Sequence, residues 1–141
     1  MKKLGIVYYS ATGNTQMMAE AVLEGSKTIC EEVELIEVDD FKSQDVSEYD
    51  RLAFGCSAYG VENLEEGTFE PMFSEIESSL SGKTIGLFGS YDWGDGGWMR
   101  EWQDRVQADG AILVQEGVIA NLTPDEEALE ACRQLGISLV K

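Results

Sequence analysis

Six consecutive residues near the start, Ser10-Ala11-Thr12-Gly13-Asn14-Thr15, set four hydroxyl or amide side chains around one glycine. They follow an apolar run and lead into a helical pattern. A turn of this kind offers successive backbone N–H groups, and the positive end of the helix dipole adds to them. The chemistry this allows is anion binding by neutral donors. No Lys or Arg stands in the loop, so it is neither the Gly-Lys-Ser/Thr loop of triphosphate sites nor the G-x-G-x-x-G dinucleotide fingerprint. Ser, Thr and Asn also favour ordinary helix caps, and spacing alone leaves that reading open.

Other chemistries are excluded by what the chain lacks. It has no histidine, and Cys30, Cys56 and Cys132 form no C-x-x-C pair. Zinc sites of Cys and His, and Ser-His or Cys-His catalytic pairs, are therefore set aside. An odd number of cysteines in a chain this size points to reduced thiols and a cytoplasmic location. Ten basic against 27 acidic residues give a net charge of −17, which argues against a nucleic-acid binder, since phosphate contacts need Lys and Arg. The same excess favours a soluble monomer and steering toward basic partners, although general solubility explains it equally well. The Met1-Lys2-Lys3 tip precedes too short an apolar stretch for a leader and is read as a strand. No run is long enough to cross a bilayer.

The elements that position the loop follow from alternation along the chain. Residues 4–9 read as a strand, then a helix from about Asn14 to Lys27 with Met17, Met18, Ala21, Val22 and Gly25 inward. Residues 33–38 alternate as an edge strand with Val33, Leu35 and Glu37 on one face. Asp39 to Tyr49 is polar, a short helix or turn. Residues 51–57 form a buried strand, Phe69 to Leu80 a helix opening near Pro71, and 84–90 another strand. A helix over Gly97 to Ala108 carries Trp98 and Trp102, four apart and expected to pack inward. A last strand region spans 111–120. Thr123-Pro124-Asp125-Glu126 opens the final helix, with a cap, a proline at the first position and acids in the first turn. The pattern predicts an α/β fold, a three-layer αβα doubly wound sandwich on a five-stranded parallel sheet of order 2-1-3-4-5. Its ligand site belongs at the carboxyl ends of the strands. Without repeat or linker, residues 1–141 read as one domain.

S-x-T-G-N-T after a first strand resembles the phosphate loop of flavodoxins. Two further segments resemble the short-chain, clostridial-type members: Gly55-Cys56-Ser57-Ala58-Tyr59-Gly60 with Glu62, and Leu87-Phe88-Gly89-Ser90-Tyr91-Asp92-Trp93-Gly94-Asp95-Gly96. The likeness extends to Phe69-Glu70-Pro71 and Trp98-Met99-Arg100 and covers essentially the whole chain. It leaves no room for the loop that interrupts the last strand in long-chain flavodoxins.

The resemblance implies non-covalently bound FMN. Ser10, Ala11, Thr12, Gly13, Asn14 and Thr15 would hold the phosphate. Ser57, Ala58, Tyr59, Gly60, Val61 and Glu62 would flank the ring on one side, and Gly89, Ser90, Tyr91, Asp92, Trp93 and Gly94 on the other. Trp93 matches the aromatic that stacks on the ring's outer face; read alone, it is equally an exposed loop aromatic or a core residue. Tyr59 stands where the clostridial pattern more often has Met, and Asp92 replaces a frequent glycine, a substitution that positive φ tolerates. Glu62 matches the carboxylate that accepts from the flavin N3–H, although among Glu65 and Glu66 it also reads as a solvated acid. In the turn Tyr59-Gly60-Val61-Glu62, Gly60 suits the first central position of a type II′ turn, whereas a type II turn would need φ > 0 at β-branched Val61. Val61 is thus expected to bias the loop toward the arrangement that stabilises the neutral semiquinone.

The implied function is a low-potential one-electron carrier, cycling between semiquinone and hydroquinone, without substrate turnover of its own. A hydroquinone anion in a poorly solvated pocket of an acidic protein is disfavoured, which lowers the potential. Basic-surfaced redox proteins, a reductase donor and an electron acceptor, are expected to dock at an acidic edge of Glu62, Glu65, Glu66, Asp92 and Asp95. Rival readings are an FMN-dependent NAD(P)H or quinone reductase and a specialised activator of a radical enzyme. For the reductase, no second nucleotide segment and no acid–base group is visible. A signalling receiver domain would need acids where Tyr9-Ser10 and Ser57-Ala58 stand.

Overall fold

The structure is a computed structural model that describes residues 3–9, 13–59, 63–64, 67–91 and 96–141. Its centre is a parallel sheet. Strand β1 (Leu4–Tyr9) lies between β2 (Val33–Glu37) and β3 (Arg51–Cys56), and β3 is followed by β6 (Thr84–Tyr91). The last position is shared by two short strands, β7 (Ile112–Leu113) and β8 (Val118–Asn121), both parallel to β6. The order 2-1-3-4-5 thus holds in space, with the fifth strand in two pieces where one region was expected. A two-stranded antiparallel ribbon, β4 (Ala58–Tyr59) with β5 (Asn63–Leu64), stands after β3.

Strands β1, β3 and β6 are buried almost throughout, as a parallel sheet covered on both faces requires. Their alternation divides the core. Leu4, Ile6, Tyr8, Ala53 and Phe88 face the helices α1 (Asn14–Ser26) and α4 (Glu126–Val140). Val7, Leu52, Phe54, Ile85 and Leu87 face α2 (Phe69–Ile76) and α3 (Gly97–Ala108). On that second side Phe73 and Phe69 each meet Trp102 edge-on at 5.7 and 5.5 Å, a favoured aromatic geometry. Trp98 and Trp102 are both buried, as the spacing of four predicts.

Three expectations are corrected. Met17 is 40% exposed, because it lies off the stripe formed by Met18, Ala19, Ala21, Val22 and Gly25. The cap of α4 is Asp125, whose Oδ1 accepts the Ala128 N–H at 2.8 Å, so Thr123 and Pro124 precede the helix. Helix α2 ends at Ile76 and tightens into a 3₁₀ turn over 77–79.

Candidate functional site

Parallel pairing aligns the carboxyl ends of the strands: Tyr9 beside Cys56, and Tyr91 beside Asn121. At this rim β1 hands over to α1. Gly13 caps that helix in the left-handed region, φ 93°, with open space where a side chain would stand. Glycine has no side chain of its own with which to cap the helix. The first-turn N–H groups of a helix lack intrahelical partners, so this end suits an anion.

Beneath it, hydroxyls from three segments converge. Thr15, in the first turn of α1, lies 2.8 Å from Ser57 Oγ and 3.1 Å from Ser90 Oγ, through its own Oγ1. The Ser90 backbone N–H donates to the same oxygen at 3.3 Å. Thr15 is fully buried and Ser90 nearly so, while Ser57 reaches the surface. Gly89 makes the approach possible, since a Cβ there would overlap the Cys56 carbonyl oxygen.

Of the expected site residues, Gly13, Asn14, Thr15, Ser57, Gly89, Ser90 and Tyr91 are therefore brought to one rim. Ala58 and Tyr59 form β4, paired with β5. Ser10, Ala11, Thr12, Gly60, Val61, Glu62, Asp92, Trp93 and Gly94 lie outside the described residues, and with them the expected turn at Val61. The acids Glu65, Glu66 and Asp95 lie outside them too.

The rim also holds residues that the sequence reading passed over. Asn121 donates its Nδ2–H to the Tyr91 carbonyl at 3.2 Å, and the Leu122 N–H donates to the same oxygen at 2.6 Å. Leu122 has φ 58° and is 52% exposed. A bulky residue in that region is strained, and such strain gathers at binding rims. Nothing in the sequence flags it, because Leu in a left-handed conformation has no local signature.

A phosphate ester needs several short-range donors and tolerates their being neutral when a helix N-terminus faces it. Ser57, at the open edge of the hydroxyl cluster, and the N-terminus of α1 beside Gly13 supply such donors with no cation among them, so the described residues fit the phosphate of FMN. The arrangement defines a doubly wound α/β protein with a hydroxyl cluster beneath the N-terminus of its first helix.

Comparison with known proteins agrees. The family model for flavodoxin matches residues 6–136. A flavodoxin of Clostridium beijerinckii is 44% identical over 131 residues, 93% of this chain and 94% of that one. One from Megasphaera elsdenii is 38% identical over 96% of this chain and 97% of its own. The solution structure of two-electron reduced Megasphaera elsdenii flavodoxin superimposes with a TM-score of 0.89, covering 97% of this chain and 98% of that one. The chain belongs to the flavodoxin family. It is a small FMN-binding electron carrier that works with redox partners and turns over no substrate of its own. A reductase or a radical-enzyme activator is not favoured. Among the described residues, no helix is long and apolar enough to cross a membrane.

Proposed function

We infer that residues 1–141 act as one FMN domain, a low-potential carrier whose cofactor sits at the rim described above. The observation that carries this reading is the meeting of Thr15, Ser57 and Ser90 under the N-terminus of α1. FMN supplies one-electron chemistry in two successive steps. The chain's own part is to bind, orient and exclude water. Residues 10–15 take the phosphate, and the segments 57–62 and 89–94 take the ring. In the first of these segments Ala58 and Tyr59 are paired with Leu64 and Asn63.

Partners are basic-surfaced donor and acceptor proteins, and the described rim supports this with exposed acids. Asp39 and Asp40 follow β2, and Asp125, Glu126 and Glu127 open α4. The protein works as a monomer in the cytoplasm, a reading supported by its net charge and by three buried cysteines that stand outside any disulfide.

The test is an anaerobic reductive titration followed in the visible region. The purified protein is expected to hold FMN and to pass through a well-populated one-electron stage. Bound FMN that goes directly to the two-electron form would favour a flavin reductase. A protein that neither holds nor takes up FMN would remove the reading altogether.

A further inference from the structure

The hydroxyl cluster beneath the rim has a direction, and counting protons gives it. A hydroxyl carries one proton and two lone pairs. One lone pair of Thr15 Oγ1 is occupied by the Ser90 backbone N–H. Two arrangements then satisfy the remaining contacts. In the first, Ser90 Oγ donates to Thr15, Thr15 donates to Ser57, and the Ser57 proton is free for an acceptor outside the cluster. In the second, Ser57 donates to Thr15 and Thr15 donates to Ser90, which leaves the Ser90 proton with no acceptor among the described residues. Ser90 is only 4% exposed, whereas Ser57 is half-buried and can reach outward. An unmatched proton is costly at a buried site and harmless at an open one, so the first arrangement wins.

We propose that Thr15, Ser57 and Ser90 form a directional hydroxyl chain in which Ser90 is a positioning residue. It fixes the direction of donation, so that Ser57 gives its proton outward to the phosphate of FMN. The inference rests on the reading of this rim as the FMN site. It also changes the part played by Ser90, which acts through Thr15 and does not itself hold the cofactor. Thr15 in turn joins α1 to the ends of β3 and β6 with one oxygen atom.

Riboflavin has the same ring and ribityl chain as FMN but no phosphate, so paired affinities separate the two parts of the ligand. After removal of the native flavin, fluorescence titrations give both constants for each variant. Ser90→Ala is expected to weaken FMN about three- to tenfold and to leave riboflavin within about twofold. Ser90→Thr, which keeps the hydroxyl, restores FMN affinity. In a Thr15→Val background, Ser90→Ala should cost nothing further, because the chain is already cut. If Thr15→Val does not fold, Ser57→Ala serves as the background, with the same expectation. Unchanged FMN binding in Ser90→Ala overturns the proposal, as does an equal loss of riboflavin or a full loss in the cut background. Wild-type protein that binds neither flavin would overturn the FMN reading itself, a result distinct from all three.

Discussion

Asp109 shows how one carboxylate can work against the fold that contains it. It closes the carboxyl end of α3, where the helix dipole disfavours negative charge. Desolvation raises its pKa to about 6, and the neighbouring Glu77 carboxylate adds to the rise. Glu77 and Glu70 are held below their ordinary value by hydrogen bonds from Arg105, which reaches Glu70 through both terminal nitrogens at 2.8 Å. The two effects have opposite signs. A folded pKa above the unfolded value means the native state binds more protons between about pH 4 and 6, so stability falls as pH rises through that window. The contributions of Glu70 and Glu77 are present above the ordinary carboxylate range and are lost only as pH falls below it. Asp109→Asn is therefore expected to raise stability at pH 7 by about 1 kcal/mol and to flatten the slope between pH 4 and 6. Urea unfolding across that range checks it. A lower stability at pH 7 would mean that attraction to Arg105 outweighs repulsion from Glu77.

At the scale of elements, the closest contact is the crossing of α1 and α4. A Cβ on Gly136 would overlap the Val22 carbonyl oxygen and stand 2.9 Å from the Ser26 nitrogen; one on Gly25 would overlap the Arg133 carbonyl oxygen. Backbone cannot swing aside as a side chain can, so Gly136→Ala must push the helices apart. The expected loss is about 2 kcal/mol from overpacking, set against a helix-propensity gain of under about 1 kcal/mol. A denaturation midpoint at or above that of the wild type would refute the close crossing. Neither glycine announces this in the sequence, where a glycine inside a helical pattern reads as a weakness. Strands β1, β3 and β6 were legible because burial on both faces demands unbroken apolar runs. The division of the fifth strand was not, since residues 111–120 keep a strand-like composition while only 112–113 and 118–121 pair with β6. The cap of α4 was misplaced by two residues because Thr123 and Asp125 are both good caps. Only the reach of the Asp125 carboxylate to the Ala128 N–H decides between them. The phosphate loop is a reading of six neighbouring residues, of which Ser10, Ala11 and Thr12 lie outside the described ones. The contact of Thr15 with Ser57 and Ser90 spans 42 and 75 positions and belongs to the fold alone.

On the scale of the whole molecule, charge is the property that reaches furthest beyond the surface. A net −17 makes the protein repel its own kind and attract cationic surfaces from a distance, before any contact forms. Encounter becomes productive only if the attraction is strongest where electrons leave. Exposed Asp39, Asp40 and Glu127 lie at the carboxyl-end rim, on the elements that follow β2 and β8. Arg133 is engaged by Glu24, Glu126 and Glu130, so among the rim acids it offsets Glu126 and not Asp39, Asp40 or Glu127. Electron transfer to a basic-surfaced acceptor should therefore slow as salt rises, by roughly tenfold between very low and physiological ionic strength, where screening acts within about 8 Å. Stopped-flow rates over a salt series measure the slope. Neutralising Asp39, Asp40 and Glu127 to Asn, Asn and Gln should make the slope shallower while leaving FMN affinity unaltered. Neutralising exposed Glu31 and Glu32, at the opposite end of β2, should change it less. A rate indifferent to salt would exclude steering. Equal effects of the two sets would mean that net charge acts without regard to place, and the rim would then hold no special claim as the docking edge.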